Sequence, residues 1–261
     1  MSSIECDNRL AEAIARHKGL SVAVSGGVDS LTLATFAHRH GEAKVCVIHA
    51  VSPAVPPFAT RRVRNFADAE GWHLIVTGAG EFDDPRYRDN PVDRCYFCKT
   101  NLYERIRELT PYAIASGANL DDLGDYRPGL LAAAERNVVH PFIEAGMDKG
   151  AIRELARREG LNDISELPAQ PCLASRVETG IAIDAADLIF IDAVETRLAD
   201  LVPSNSTLRC RITRAGVVIE VGQEVEDFLV LTEIAGALCE ENGRAFVGVA
   251  RYRRGSMFVR G

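Results

Sequence analysis

Apolar residues recur at helical spacing over residues 4–17, and from there short apolar runs alternate with longer amphipathic segments. The runs fall at 20–24, 44–48, 73–76 and 112–115. Between them, helical patterns extend to about residue 40, across 60–71 and over 98–109. Continuous apolar strands separated by amphipathic helices predict an α/β doubly wound fold, a parallel sheet with helices on both faces. Residues 132–137 and 149–158 read as further helices, with Asp148 as an N-cap and Gly160 as a C-terminal stop. Residues 161–183 form a long irregular stretch, and irregular segments of that length are often functional. Asp184 then caps a helix running to about residue 199. After Pro203 the pattern changes to strands at 207–213 and 217–221, a helix over 225–240, and strands at 245–250 and 256–259. The expected organisation is an α/β domain over residues 1–180 and a small α+β domain over 181–261.

Ligands in such folds bind beyond the carboxyl ends of the strands. Three segments lie at such ends: 25–30, 49–52 and 116–122. The first reads Ser25-Gly26-Gly27-Val28-Asp29-Ser30, between an apolar strand and a helix that the pattern starts near Leu31. Gly26 and Gly27 let a phosphate approach the backbone, and a helix start aims free N–H groups and a positive dipole end at it. Ser25 and Ser30 add hydroxyl donors. Asp29 suits holding a metal ion or orienting a nearby donor. The loop is neither a GxxxxGK[ST] phosphate loop nor a GxGxxG fingerprint.

Composition narrows the setting. The chain has 261 residues, 47% of them hydrophobic, and a formal net charge of −7. Its apolar content suits a globular protein with a substantial core, and its acidity argues against a broad nucleic-acid surface. The N-terminus has no signal-peptide pattern and no apolar run is long enough to span a bilayer, so a cytoplasmic, non-membrane protein is expected. Arg244, Arg251, Arg253, Arg254 and Arg260 form a local basic cluster, read either as a solvated strand edge or as an anion site.

Clustered cysteines in a cytosolic chain point to metal binding or catalysis rather than disulfides. Cys95 and Cys98 form Cys-Tyr-Phe-Cys at a helix start, and Cys172 lies in the long irregular stretch as Pro-Cys-Leu-Ala-Ser-Arg. The pair admits several readings: half a zinc site, a redox dithiol, or two ligands of an iron–sulfur cluster. No second CxxC occurs, and His140 is a candidate fourth zinc ligand only by residue type. Three thiolates on a [4Fe–4S] cluster would leave one iron open to a sulfide or substrate atom. Cys6, Cys46, Cys210 and Cys239 read as small buried hydrophobes.

The segments together carry a resemblance. SGGVDS at 25–30 resembles the PP-loop of the ATP pyrophosphatases. With NPVDRCYFCK at 90–99, SGANLDDLGDYRPG at 116–129, PCLASR at 171–176 and YRRGS at 252–256, the chain resembles the LarE sulfur-transferase family, in the family's order from about residue 20 to the end. The resemblance implies a family activity in nickel-pincer nucleotide cofactor biosynthesis. ATP adenylylates a carboxylate of a pyridinium biscarboxylate mononucleotide, pyrophosphate leaves, and sulfur replaces the activated oxygen. It implies Mg²⁺ with the ATP, a small-molecule nucleotide substrate and a higher homo-oligomer. Some members of the family sacrifice a single cysteine at the position of Cys172. Others hold a [4Fe–4S] cluster on three thiolates and draw on a sulfide or other sulfur donor, and the presence of Cys95, Cys98 and Cys172 implies this second type.

By motif position, the resemblance assigns Ser25, Gly26, Gly27, Asp29 and Ser30 to the ATP phosphates and Gly117 to the nucleotide. Asp121, Asp122 and Asp125 would hold magnesium or orient Arg127, with a solvated turn as the other reading. Ser175 and Arg176 would face a substrate phosphate or carboxylate, with a structural ion pair as the other reading for Arg176. The last strand departs from the family pattern: Val247-Gly248-Val249-Ala250-Arg251 lacks the acidic residue usual there, while Glu220 remains. Arg209, Arg211, Arg214 and Arg253 are candidates for a phosphate-binding patch. Rival readings on the same loop are a tRNA thiolation enzyme, an amide-forming adenylating ligase and a nucleotide sensor.

Overall fold

A computed structural model describes residues 3–124, 126–203, 206–253 and 255–257, with the side chains of Ser3 and Ile4 left out. In chain order the elements are α1 (Ser3–Ala15), β1 (Gly19–Ala23), α2 (Val28–His40), β2 (Lys44–Val51), α3 (Pro57–Glu70), β3 (Leu74–Gly78), α4 (Pro85–Arg88), α5 (Arg94–Leu109) and β4 (Ala113–Ala115). They continue with α6 (Pro128–Glu135), α7 (Pro141–Glu144), α8 (Lys149–Arg158), α9 (Asn162–Ser165), α10 (Ala185–Leu198), β5 (Leu208–Thr213), β6 (Gly216–Val221), α11 (Leu229–Glu241) and β7 (Phe246–Arg251). Short 3-10 turns lie at Glu81–Asp83, Leu120–Gly124, Leu173–Arg176 and Ala199–Leu201. The chain divides into two compact units, residues 1–84 with 93–170, and residues 85–92 with 171–261.

The first unit is built on a parallel sheet of order β3-β2-β1-β4. Successive β2 side chains face opposite layers, as period-two geometry requires. Val47 joins a core with Leu31 and Leu33 of α2, Ile152 and Leu155 of α8, and Leu10 of α1. Cys46 and Ile48 join another core with Leu102, Tyr103 and Ile106 of α5. Both faces of the sheet are therefore covered, which is why its strands read as apolar runs rather than alternating ones. The expected α/β doubly wound sheet is present. The strand order reverses beside β1, and the loops after β1 and β4 flank that switch point, where open α/β sheets bind ligands.

In the second unit, β5 and β6 pair antiparallel and β6 and β7 pair parallel, in the order β5-β6-β7. Asp184 caps α10 by accepting from the Ala186 N–H at 2.7 Å. Residues 85–92 are tied in locally: the Asn90 side-chain amide donates to the carbonyls of Glu178 (3.0 Å) and Ile181 (2.8 Å).

Several boundaries differ from expectation: α5 starts at Arg94 rather than residue 98, and α6 spans Pro128–Glu135 rather than 132–137. Helix α2 starts at Val28 rather than near Leu31, because the Gly27 carbonyl already accepts the Leu31 N–H at 3.1 Å. Helix α11 starts at Leu229 rather than Val225, where the Asp227 carboxylate takes the Leu229 N–H at 2.8 Å. Of the strand expected at 256–259, Ser256 and Met257 lie in a turn and the rest falls outside the described residues. No helix among the described residues is long and apolar enough to cross a membrane.

Candidate functional site

The turn from β1 into α2 places the six residues of SGGVDS. Gly26 has φ +87°, and a Cβ there would meet the Ala59 carbonyl at 2.9 Å. Only glycine meets both demands. Gly27 is extended (φ −86°, ψ 164°) and a Cβ on it would meet only Ser25 Oγ, at 3.6 Å. Fold geometry therefore accounts for Gly26 and leaves Gly27 unexplained. Ser30, in the first turn of α2, donates to the Gly27 carbonyl at 3.2 Å and accepts the Ser25 N–H at 3.1 Å, so it braces the loop from inside. Ser25 itself is exposed.

Asp29 also lies in the first turn, where a carboxylate favours the helix dipole. Both its oxygens accept from Lys149 Nζ, at 2.6 and 2.7 Å. Burial pushes the Asp29 carboxyl up from its ordinary range, while the bond to Lys149 pulls it down and neighbouring Asp122 pushes it up again. Lys149 carries no motif signal in the sequence. It opens α8 behind the Asp148 cap, whose carboxylate accepts the Ala151 N–H at 2.8 Å.

The loop after β4 meets the start of α2 directly. A Cβ on Gly117 would lie 2.9 Å from Ser30 N and 3.0 Å from the Asp29 carbonyl carbon, so this glycine is needed for loop–helix approach whatever else lies near it. Asp122 pairs with Arg127 at 2.9 Å and accepts the Asn119 N–H at 3.1 Å. Asp121 accepts the Lys149 N–H at 3.2 Å. The acidic turn is thus a hydrogen-bonded structure in its own right. Asp125 lies outside the described residues.

Helix α3 grips the loop from its other side. His49 Nδ1 lies 2.8 Å from the Val24 carbonyl and Nε2 lies 2.9 Å from Thr60 Oγ1. A carbonyl can only accept, so Nδ1 carries the proton and Nε2 accepts from the Thr60 hydroxyl. Arg62 donates to the Gly26 carbonyl at 2.8 Å. Burial lowers the pKa of His49, and likewise that of His140, whose Nδ1 lies 2.8 Å from Ser116 Oγ. Both rings are neutral in the fold, so they contribute stability above the ordinary histidine range that is lost as pH falls from about 6.5. The urea midpoint should drop between pH 7.5 and 5.5, and His49→Gln should flatten that slope without removing the His140 share. An unchanged slope in His49→Gln would show that the clamp does not titrate.

Cys95 and Cys98 fall in the first turns of α5, three residues apart and therefore on one face. Cys95 is exposed and Cys98 partly so, and Cys172 in the second unit is exposed, whereas Cys6, Cys46, Cys210 and Cys239 are buried. Burial pushes the Cys210 and Cys239 thiols up, as expected of inert core cysteines. Accessible thiols are ligands suited to iron and sulfide. Among the described residues no group of three or more His, Cys, Asp and Glu side chains is gathered into a metal site. Beside the CxxC, a cavity of about 220 Å³ is lined by Asp93, Tyr96, Tyr126, Arg127, Pro128 and Leu131.

Arg176, 4% exposed, makes a bidentate pair with Glu195 (2.9 and 3.0 Å) and donates to the carbonyls of Pro171 (2.6 Å) and Cys172 (3.1 Å) and to Ser175 Oγ (3.1 Å). Every nitrogen of its guanidinium is engaged within the protein, so the group shapes the Cys172 turn. Removing one partner of such a buried pair typically costs about 3–5 kcal/mol. Arg211 is likewise held by Glu220 (2.8 Å) and the Ser175 carbonyl (2.9 Å), and Arg214 pairs with Glu178. Burial, and then neighbouring Arg176, push the Arg209 guanidinium down. Arg253 is exposed, while Arg254 and Arg260 lie outside the described residues. Of the expected arginine patch, two members are neutralised by carboxylates that no local pattern pairs with them.

No protein-family model matches the chain. An uncharacterized protein of Synechocystis is 36% identical over 185 residues, covering 69% of this chain and 68% of the relative. An uncharacterized protein of Methanocaldococcus jannaschii is 28% identical over 230 residues, 87% of this chain and 86% of the relative. The pyridinium-3,5-bisthiocarboxylic acid mononucleotide synthase of Lactiplantibacillus plantarum is 26% identical over 256 residues, 95% of this chain and 92% of the relative. With the phosphate-type loop at the switch point of a parallel sheet and the motifs in order along the chain, these matches show that the chain belongs to the LarE family.

Proposed function

We propose that this protein is an ATP-dependent sulfur transferase that converts a carboxylate of a pyridinium biscarboxylate mononucleotide to a thiocarboxylate. The observation that carries the reading is the loop at 25–30. Its Gly27 has no structural reason to lack a side chain, and it opens a long helix whose first-turn N–H groups suit phosphate. The name of the Lactiplantibacillus relative supports the substrate class.

In the first half-reaction a substrate carboxylate oxygen attacks the α-phosphorus of ATP. The bond to pyrophosphate breaks, and an acyl adenylate forms. Ser25, Gly26, Gly27 and Ser30 cradle the phosphates, and Gly117 borders the nucleotide. Lys149 supplies the cation that a Walker loop carries within itself, with Asp29 holding it over the helix start. Mg²⁺ would neutralise phosphate charge when bound, and Asp29, which also holds Lys149, is the loop carboxylate that would take it. In the second half-reaction sulfur attacks the acyl carbon and AMP leaves with the C–O bonding pair. Cys95, Cys98 and Cys172 form the sulfur-delivery half. A [4Fe–4S] cluster on those three thiolates would supply a sulfide at the iron they leave open. Arg176 fixes the backbone that presents Cys172, and Ser175 completes that turn.

Pyrophosphate release tests the activation half. Release should require both ATP and the pyridinium biscarboxylate mononucleotide. Lys149→Met should slow it about 100-fold, the usual cost of removing a charged donor from a transition state. Release at full rate without the carboxylate substrate would overturn the reading.

A further inference from the structure

Arg62, on α3, touches the phosphate loop at one end and the last residue of the first unit at the other. Its Nη1 donates to the Gly26 carbonyl and to Gln170 Oε1, each at 2.8 Å, and its guanidinium lies 5.6 Å from the centre of the Phe58 ring. Both acceptors are neutral. Arg62 is half-buried and has no ion-pair partner among the described residues. Burial pushes its guanidinium down from the usual range. At Gln170 the chain leaves the first unit, at Pro171 it returns to the second, and Cys172 follows.

A partly desolvated charge bonded only to neutral oxygens has unused affinity for an anion. Hydrogen bonds to charged acceptors are roughly twice as strong as those to neutral ones, and guanidinium suits phosphate in particular. The atom it already touches, the Gly26 carbonyl, belongs to the loop assigned above to ATP phosphates.

We infer that Arg62 is a positioning residue that couples occupancy of the phosphate loop to the segment leading into Cys172. When phosphate arrives, the guanidinium turns from Gln170 to the anion and the Gln170 side chain is released. The bond at the residue leading into the Cys172 turn, which Arg176 itself keeps folded, is thereby given up only after the activation half is loaded. This rests on the ATP reading of the loop, and it differs from simple bracing. Under bracing, losing either partner loosens the loop and weakens ATP. Under coupling, the Gln170 bond competes with ATP.

The experiment is a double-mutant cycle on the full chain, read by calorimetric titration with ATP and, separately, with adenosine. Gln170→Ala should bind ATP about three- to tenfold more tightly, because a competing hydrogen bond has gone. Arg62→Leu should bind ATP at least about tenfold more weakly, and the double variant should match Arg62→Leu, a non-additive result. Adenosine, which lacks phosphate, should bind all variants alike. Gln170 is exposed, so its variant tests the idea even if Arg62→Leu folds poorly. Arg62→Lys, which keeps the charge, should lie between wild type and Arg62→Leu. Unchanged or weaker ATP binding by Gln170→Ala would overturn the coupling, as would adenosine affinities that track those of ATP. Absence of ATP binding by the wild-type chain would instead defeat the ATP reading, and the coupling with it.

Discussion

Cys172→Ser should abolish thiocarboxylate formation, by at least about 1,000-fold, and leave pyrophosphate release within about threefold of wild type. The asymmetry follows from how the turn is held. Arg176 bonds the carbonyls of Pro171 and Cys172, not the thiol, and its own position is fixed by Glu195. Exchange of an exposed sulfur for oxygen therefore leaves the backbone as it was and removes only the thiol, the group proposed as sulfur donor or iron ligand. Measuring AMP, pyrophosphate and thiocarboxylate in one reaction checks both halves at once. Undiminished thiocarboxylate would remove Cys172 from the chemistry. The same assay on Cys98→Ala, with the mass of the Cys172 peptide after one turnover, separates the two sulfur routes. A sacrificed Cys172 loses its sulfur and tolerates Cys98→Ala for one turnover. Delivery through three thiolates leaves Cys172 intact and fails in Cys98→Ala.

Gly26→Ala and Gly27→Ala should part company. At Gly26 a methyl group meets the Ala59 carbonyl at 2.9 Å on a backbone of positive φ. The strain costs roughly 1–3 kcal/mol, a fall of about 3–10 °C in Tm for a chain of this size. Because the loop must shift, kcat/KM for ATP should fall about 100-fold as well. At Gly27 the added methyl finds ordinary contact distance and an extended backbone. Tm should stay within about 1 °C while ATP affinity falls at least about tenfold, because the obstruction is to the ligand and not to the fold. Thermal melts and ATP titrations on the two variants check this. Equal loss of stability would show that both glycines serve the turn, and full ATP affinity in Gly27→Ala would show that no phosphate approaches there.

The sheet and its helices were readable because burial on both faces demands continuous apolar strands, and four such runs punctuated by amphipathic helices admit few other arrangements. Helix ends were readable where one side chain decides them, as at Asp148 and Asp184. The start of α2 was misplaced by three residues because a glycine cap has no side chain to announce it. The partners of the charged residues were not readable. Lys149 meets Asp29 across 120 positions, and Arg62 meets Gly26 across 36. Such pairs arise when strands and crossovers bring loops together, and no local pattern records them. Arg176 illustrates the difference. As a residue type it suited a substrate anion, and the fold closed Glu195 and two carbonyls around it.

The sequence by itself determined the doubly wound first unit, the glycine-bearing loop between its first strand and second helix, and the three cysteines that stand apart from the other four. All of these rest on local composition and periodicity. Tertiary structure alone decided which glycine the turn requires, which arginines are engaged in the fold, and that Lys149 and Arg62 meet the loop. Each of those depends on distances between residues far apart in the chain, and those distances exist only once the chain has packed.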